Sequence, residues 1–435
     1  MPVSFNKEGC RAVIVAGVRT PFLRSFGAFT PMNTIALGAV AIREVMRRTE
    51  LQPEAIDGLV WGGVILPSAS VNIGREIVLE AGLPRSIEAT TVTRACTSGL
   101  KAITQAVATI ERGEADVMIA GGSDSTSNAE VTMPPSLVHK AAPVLLSGKS
   151  GVKDYLRLMT KLSIRRDLIP SRPSVRERST GELMGEAAER MAVINEISRE
   201  AQDAFAVQSH HRAAAAIREG ILTEEIMPVV TPDGKTVDKD NIVRGDTTLE
   251  KLARLKPVFK EDGTLTAGNS SSLTDGASAV IVMREDKARA LGYTPLAAFR
   301  SWSYDAVDPA GQMLMGPAIS MPKALSRAGM TLADVDVVDI HEAFAAQVLC
   351  VLKALNDDVF AKENLGMDKA CGEINPESVN LYGGSVALGH PFGATGARMV
   401  TTLANELARS GKGVALLGIC GAGGVSAGAI LENVN

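Results

Sequence analysis

Two stretches decide the fold: residues 51–65, LQPEAIDGLVWGGVI, and residues 330–344, MTLADVDVVDIHEAF. Each follows a helical pattern, opens on a polar turn and runs into a short apolar strand. The same scheme recurs around them. A strand at 89–93 leads into Arg94-Ala95-Cys96-Thr97-Ser98-Gly99 and a helix to about Arg112. Residues 379–381 lead into a Gly-rich turn and a helix over 395–409. A strand at 116–120 ends in Gly121-Gly122, and one at 414–419 ends in Cys420-Gly421-Ala422-Gly423-Gly424. Alternating strands and helices predict a mainly parallel sheet. Their repetition predicts two similar β/α halves.

Composition agrees. The chain has 435 residues, 46 % of them hydrophobic but only 4 % aromatic, with 41 glycines. Small aliphatic side chains and many glycines suit packed α/β layers with tight turns. Between the halves, residues 129–255 are richer in charge and proline, as an inserted binding or lid domain would be. That divides the chain into a first half (1–128 and 256–290), the insertion (129–255) and a second half (291–435). Within the insertion, Arg199 to Arg218 reads as a clear helix, on which His210 and His211 read as surface residues.

The formal net charge of −4 argues against a nucleic-acid binder. Five cysteines, with no CxxC pair, argue against a disulfide framework or a structural zinc site. Cys10, Cys350 and Cys371 read as structural. The opening MPVSFNKEGCRAVIVAG lacks the basic-then-apolar order of a signal peptide. No apolar run approaches the roughly 20 residues that span a bilayer. A reducing, cytoplasmic location is the expectation.

Four elements at strand ends carry chemistry, where open α/β sheets place their ligands. Cys96 follows a strand and opens a helix, a setting that lowers a thiol's pKa and makes a nucleophile. A buried structural cysteine would show the same local pattern, so weight falls on its company. His390 stands in Gly389-His390-Pro391, where a fixed imidazole suits a general base. Cys420 offers a second thiol beside glycines whose N–H groups suit an oxyanion. His341-Glu342 stands past a strand and suits carbonyl polarisation. GxGxxG fails at Ser426, and HExxH fails at Ala345.

Together these pieces resemble the thiolase family. The resemblance also runs through Val13 to Ala16 with Arg19-Thr20-Pro21, and Gly121-Gly122-Ser123. It continues in Ser198-Arg199-Glu200, Gln202-Asp203, Gly263-Thr264, Thr266-Ala267-Gly268-Asn269 and Asp275-Gly276-Ala277. It covers nearly the whole chain in the family's order. It implies a five-layered α-β-α-β-α fold of two halves with an inserted loop domain. It implies that Cys96 carries the acyl group, that His390 takes its proton, and that Cys420 serves acetyl-CoA and CoA as acid and base. It implies that His341 holds a water that, with His390, forms one oxyanion hole, and that the N–H groups of Cys96 and Ala422 form another. It implies that Ser271 contacts the pantetheine arm of CoA. Coenzyme A is then a co-substrate, with no resident cofactor and no metal.

Two departures, His341 where many members have Asn and CGAGG at Cys420, resemble the β-subunits of trifunctional fatty-acid-oxidation complexes. They imply 3-ketoacyl-CoA thiolysis in β-oxidation, by a homodimer joined to a hydratase/dehydrogenase subunit. The alternatives are a condensing ketoacyl synthase, a biosynthetic acetoacetyl-CoA thiolase, and a non-catalytic acyl-CoA-binding scaffold. One segment adds a surface. In 151–170, Lys153, Arg157, Lys161 and Arg165 recur every fourth residue, while Val152, Tyr155, Leu156 and Met159 hold another face. This predicts a basic amphipathic helix that meets an anionic partner or a membrane surface.

Overall fold

The computed structural model describes residues 9–170 and 176–434. Residues 1–8 of the opening stretch, residues 171–175 of the insertion and residue 435 lie outside it. The described residues form two compact units, one of 9–128 with 176–434 and one of 129–170.

The large unit is built on a ten-stranded sheet. Its main strands are β1 (Ala12–Arg19), β2 (Gly58–Gly62), β3 (Glu88–Val92), β4 (Val117–Ser125) and β5 (Thr274–Arg284), then β6 (Ala297–Ala306), β7 (Val337–Ile340), β8 (Val414–Cys420) and β9 (Val425–Glu432). Their order is β7-β8-β9-β6-β1-β5-β4-β2-β3. Read outward from the middle, the halves match strand for strand. β1-β5-β4-β2-β3 is answered by β6-β9-β8-β7 and then Val379, which makes a lone parallel bridge to Val338. The repeat expected from residues 51–65 and 330–344 is therefore present, as β2 and β7, each after a 3-10 turn (Pro53–Ala55 and Leu332–Asp334). Among the described residues the two half-sheets pair where Val13 and Ile14 of β1 meet Ala298 and Ala297 of β6.

The sheet is mixed, not mainly parallel. β2 pairs parallel with β3 and β4, and β7 with β8, while the other main pairings are antiparallel. For β8 and β9 the cause is loop length. Only residues 421–424 connect β8 to β9, and a parallel crossover needs a dozen or more. The expected strand at 379–381 is reduced to the single bridge.

Helices make three further layers. On the outer face of the first half lie α1 (Thr34–Thr49) and α2 (Ile73–Ala81). Between the half-sheets lies α3 (Ser98–Glu111). The small unit holds α4 (Pro135–Leu145) and α5 (Val152–Lys161). Next come α6 (Met184–Ile194) and α7 (Arg199–Arg218). On the outer face of the second half lie α8 (Pro317–Ala328) and α9 (Ala345–Leu355), and α10 (Phe392–Ser410) joins α3 in the central layer. Successive strand residues point to opposite faces, and the cores divide accordingly. Leu59 packs outward with Leu37 and Ile77, and its neighbour Val60 packs inward with Leu100 and Ile103. In the second half Leu416 packs outward with Val348 and Met321, and Leu417 inward with Val400 and Leu403. Each fully buried Leu, Ile or Val contributes about 1.5–3 kcal/mol.

α3 and α10 meet the strand ends at backbone distance. A methyl group at Gly99 or Gly122 would overlap the Gly393 carbonyl oxygen, and one at Gly396 would sit 2.5 Å from Leu100 N.

In the small unit the basic segment is not one helix. α5 ends at Lys161, and a π-type turn, Ile164–Leu168, follows. The Asp167 carboxylate accepts from Ser163 N at 2.6 Å and pairs with Lys140 Nζ at 2.7 Å, which fixes the break. Arg165 therefore leaves the stripe of Lys153, Arg157 and Lys161. The apolar set, Val152, Tyr155, Leu156 and Met159, is exposed.

Gly122→Ala should lower the free energy of unfolding by about 1–3 kcal/mol through overpacking. Gly148→Ala, where no atom lies within 4 Å of the added methyl, should be near neutral. Equal denaturant midpoints for the two variants would contradict the close approach.

Candidate active site

Cys96 sits on a forced turn between β3 and α3. Ala95 has φ 47°, left-handed backbone that a side chain disfavours. The turn is held from several sides. Arg94 N donates to Ser98 Oγ at 2.7 Å, and Ser98 Oγ donates to Ala95 O at 2.6 Å. Thr97 Oγ1 donates to Arg94 O at 2.7 Å. The Arg94 guanidinium crosses to the second half, donating to Ser426 O at 2.8 Å and Asp305 O at 2.9 Å, and lies over Tyr304.

His390 arrives on the turn before α10. Its Nε2 is 3.0 Å from Cys96 Sγ, and its Nδ1 is 2.7 Å from Thr395 Oγ1. Phe392 abuts the ring edge-to-face at 5.0 Å. The buried carboxylate of Asp124, at the end of β4, accepts from Gly393 N at 2.7 Å and Ile65 N at 2.6 Å, which ties the His390 turn to the first half.

His341 follows β7. Its ring centre is 4.2 Å from that of His390. Its Nδ1 is 3.0 Å from Ser385 Oγ, while its Nε2 is buried with no partner among the described residues. Glu342 beside it is a clamp. It accepts from Ser209 Oγ at 2.7 Å, Asn380 Nδ2 at 2.7 Å and Val386 N at 3.0 Å, joining α7 to the loop that leads to His390.

Cys420 ends β8 and is buried. The backbone N–H of Ala422 in the following loop interacts with Cys96, as does the N–H of Cys96 itself. Ser271 lies beside the site, not in it. Its N–H donates to Ala343 O at 3.0 Å, and the next residue, Ser272, accepts from His390 N at 3.2 Å.

Burial dominates the electrostatics. It pushes the Cys96 thiol up to about 12, against the N–H groups of Ala422 and Cys96. The expected lowering by a helix N-terminus does not appear, because α3 begins only at Ser98 and desolvation outweighs it. Burial and then Arg398 push His390 down to about 3. Burial and then His390 hold His341 well below the usual imidazole range. Burial and the neighbouring Cys96 hold the Cys420 thiol well above the usual range. The resting pair is thus neutral thiol and neutral imidazole. A thiolate and an imidazolium would form together if a proton crossed the 3.0 Å to His390.

Cys96, His390, His341, Cys420 and the Ala422 N–H therefore converge, whereas Ser271 flanks them. Thr395, Ser385 and Asp124 were not singled out from sequence, whereas Glu342, read there beside His341 as suited to carbonyl polarisation, is bound by Ser209, Asn380 and Val386. One further expectation fails: His210 is buried, accepting from Arg244 N at 3.2 Å, whereas His211 is only partly so.

Known proteins resemble this chain along its length. The family model described as thiolase, N-terminal domain, matches residues 12–286, and that for thiolase, C-terminal domain, matches 293–433. The 3-ketoacyl-CoA thiolase of Yersinia pestis (strain Pestoides F) is 43 % identical over 431 residues, 98 % of each chain. The crystal structure of the Bacillus anthracis acetyl-CoA acetyltransferase superposes with TM-score 0.82 at 31 % identity, over 98 % of this chain and 99 % of that one. Human mitochondrial 3-ketoacyl-CoA thiolase gives TM-score 0.81 at 30 % identity, over 98 % and 100 %.

A pH profile checks the neutral pair. The lowered His390 pKa keeps the ring unprotonated, and able to accept, through the range where an ordinary imidazole of pKa about 6.5 charges. The acid limb of kcat/KM should therefore fall below about pH 6. A midpoint at or above about 6.5 would count against it.

Proposed function

The chain belongs to the thiolase family, and from that premise we propose that it cleaves 3-ketoacyl-CoA with CoA, giving acetyl-CoA and an acyl-CoA two carbons shorter. Family membership makes it an acyltransferase of the acetyl-CoA C-acyltransferase kind. The observation that carries the mechanism is the Cys96–His390 pair, with a 3.0 Å path for the proton.

Cys96 Sγ attacks the 3-keto carbon while its proton passes to His390 Nε2. Nδ1, held by Thr395, keeps the ring aimed. The alkoxide that forms is met by one oxyanion hole, formed by His390 with a water held by His341; oxyanion donors of this kind are worth roughly 2.7–4 kcal/mol each. The C2–C3 bond breaks, the shortened acyl chain stays on Cys96 as a thioester, and the acetyl-CoA enolate takes its proton from Cys420. The Cys420 thiolate then takes the proton of incoming CoA. The CoA sulfur attacks the thioester carbonyl, whose oxygen is met by the N–H groups of Cys96 and Ala422. Collapse releases acyl-CoA, and His390 returns the proton to Cys96. Ser271, on the loop beside both histidines, is assigned to the pantetheine arm.

The physiological reading is fatty-acid β-oxidation in the cytoplasm. The chain acts as a homodimer that joins a hydratase/dehydrogenase subunit, with coenzyme A as co-substrate and no resident cofactor. Residues 129–255 are assigned as the loop domain inserted in the first half. The likeness to the Bacillus anthracis acetyl-CoA acetyltransferase favours a second reading, short-chain condensation; rates across acyl lengths separate the two. No helix among the described residues is long and apolar enough to cross a membrane. The basic face of α5 and its exposed apolar residues support peripheral contact with anionic lipid.

Mass spectrometry after mixing with 3-ketoacyl-CoA should show an acyl adduct on Cys96. Cys96→Ala should abolish thiolysis, and Cys420→Ala should retain slow acyl transfer. An unmodified Cys96 sinks the mechanism. Reversing Lys153, Arg157 and Lys161 together to Glu should abolish binding to anionic phospholipid vesicles. Unchanged binding rules out the α5 contact.

A further inference from the structure

The donor atoms of Cys96, His341 and His390 all lie within 4.8 Å of one another. Both imidazoles are fixed through Nδ1, one on Ser385 Oγ and the other on Thr395 Oγ1. Each therefore offers Nε2 to a common centre. Metal-ligating histidines are usually oriented by a hydrogen-bond partner on the far ring nitrogen, most often a carboxylate, backbone carbonyl or water; here a hydroxyl takes that place on each ring. The Ser385 and Thr395 hydroxyls can accept as well as donate, so each ring can present an Nε2 lone pair. His341 Nε2 is buried and unpartnered among the described residues, a state that buried polar atoms rarely keep.

We propose that Cys96, His341 and His390 form a reversible three-donor site for a thiophilic divalent cation of the zinc class, and that its occupancy switches the enzyme off. One sulfur and two imidazole nitrogens are the donor set such cations prefer, and one that Mg2+ and Ca2+ avoid. Tetrahedral bonds of about 2.3 Å to sulfur and about 2.0–2.1 Å to nitrogen separate S from N by about 3.6 Å, and the nitrogens by about 3.3 Å. The Sγ–Nε2 distance is 3.0 Å. Entry of the cation therefore spreads that pair by about half an ångström, within reach of small side-chain rotations. The fourth position is left to water or to the thiol of CoA. Binding forms a metal–thiolate bond and releases the Cys96 proton to solvent, with no change of oxidation state. The cation's charge offsets the cost that burial imposes on the thiolate. Nucleophile and base are then both occupied, so acyl transfer stops. The site rests on the donor geometry, whereas its switching the enzyme off rests on the acyl-transfer reading, so the two can fail separately.

The test uses the full chain, freed of metal with a chelator and titrated with ZnCl2 against a chromophoric zinc indicator. One tight equivalent per chain is expected, with release of about one proton. Zinc should slow iodoacetamide labelling of Cys96 at least about tenfold, EDTA should restore the rate, and Mg2+ should leave it unchanged. Prior alkylation of the wild-type protein at Cys96 should remove the tight equivalent without any substitution. Ser385→Ala, which frees the His341 ring, should weaken it about tenfold or more. Absence of a tight equivalent, or one that survives alkylation of Cys96, overturns the site.

Discussion

The structure depends on one close approach. α3, α10 and the ends of β2 and β4 converge on the backbone of Gly393, with Gly99 and Gly122 facing its carbonyl oxygen. No side chain fits between them. That contact fixes the start of α10 relative to the start of α3, and so fixes His390 relative to Cys96. Packing between helices normally tolerates a range of separations. Here backbone meets backbone, and the tolerance is lost. Asp124 adds a polar tie across the same seam, holding Gly393 N and Ile65 N on one buried carboxylate. Energetically this is expensive, since burial raises the Asp124 pKa to about 7. What it secures is a position accurate enough for proton transfer.

The same burial sets the chemistry. A thiol pushed up and an imidazole pushed down make a pair that keeps its charges in reserve. A standing thiolate would be exposed to electrophiles and oxidants between turnovers. A neutral pair waits for a carbonyl to arrive with donors in place. Preorganised donors then do the work that solvent reorganisation would do in water. The Arg94 contacts to Ser426 O and Asp305 O show how the strained Ala95 backbone is kept in service. The strain is held by partners from the other half, not by the turn alone.

Much of this was legible in the sequence. Hydrophobic period and Gly-rich strand ends are local signals, so the repeat and the placing of Cys96, His390, His341 and Cys420 could be read directly. Strand direction was misread because alternation of elements was weighed above the short 421–424 connection, which forces β8 and β9 antiparallel. Val379 keeps only one bridge because Asn380 turns into left-handed backbone at φ 59° and the loop that follows is held by Glu342. His210 was misplaced because α7 has little amphipathic contrast, and nothing local says which side faces the 380–386 loop. The hydroxyls of Ser385 and Thr395 matter through ring orientation, which spacing along a chain does not encode. The break after Lys161 depends on where the Asp167 side chain folds back, again a matter of three dimensions.

The two halves of the sheet share only two residue pairs at their seam, yet the reacting groups are divided between them. The strand ends of the first half present Cys96 among glycines. The matching ends of the second half present His341, His390 and Cys420. In the proposed mechanism the acyl carrier thus comes from one half and the proton-handling groups from the other. Neither half holds the whole set, so the site exists only while both halves of the chain are folded together.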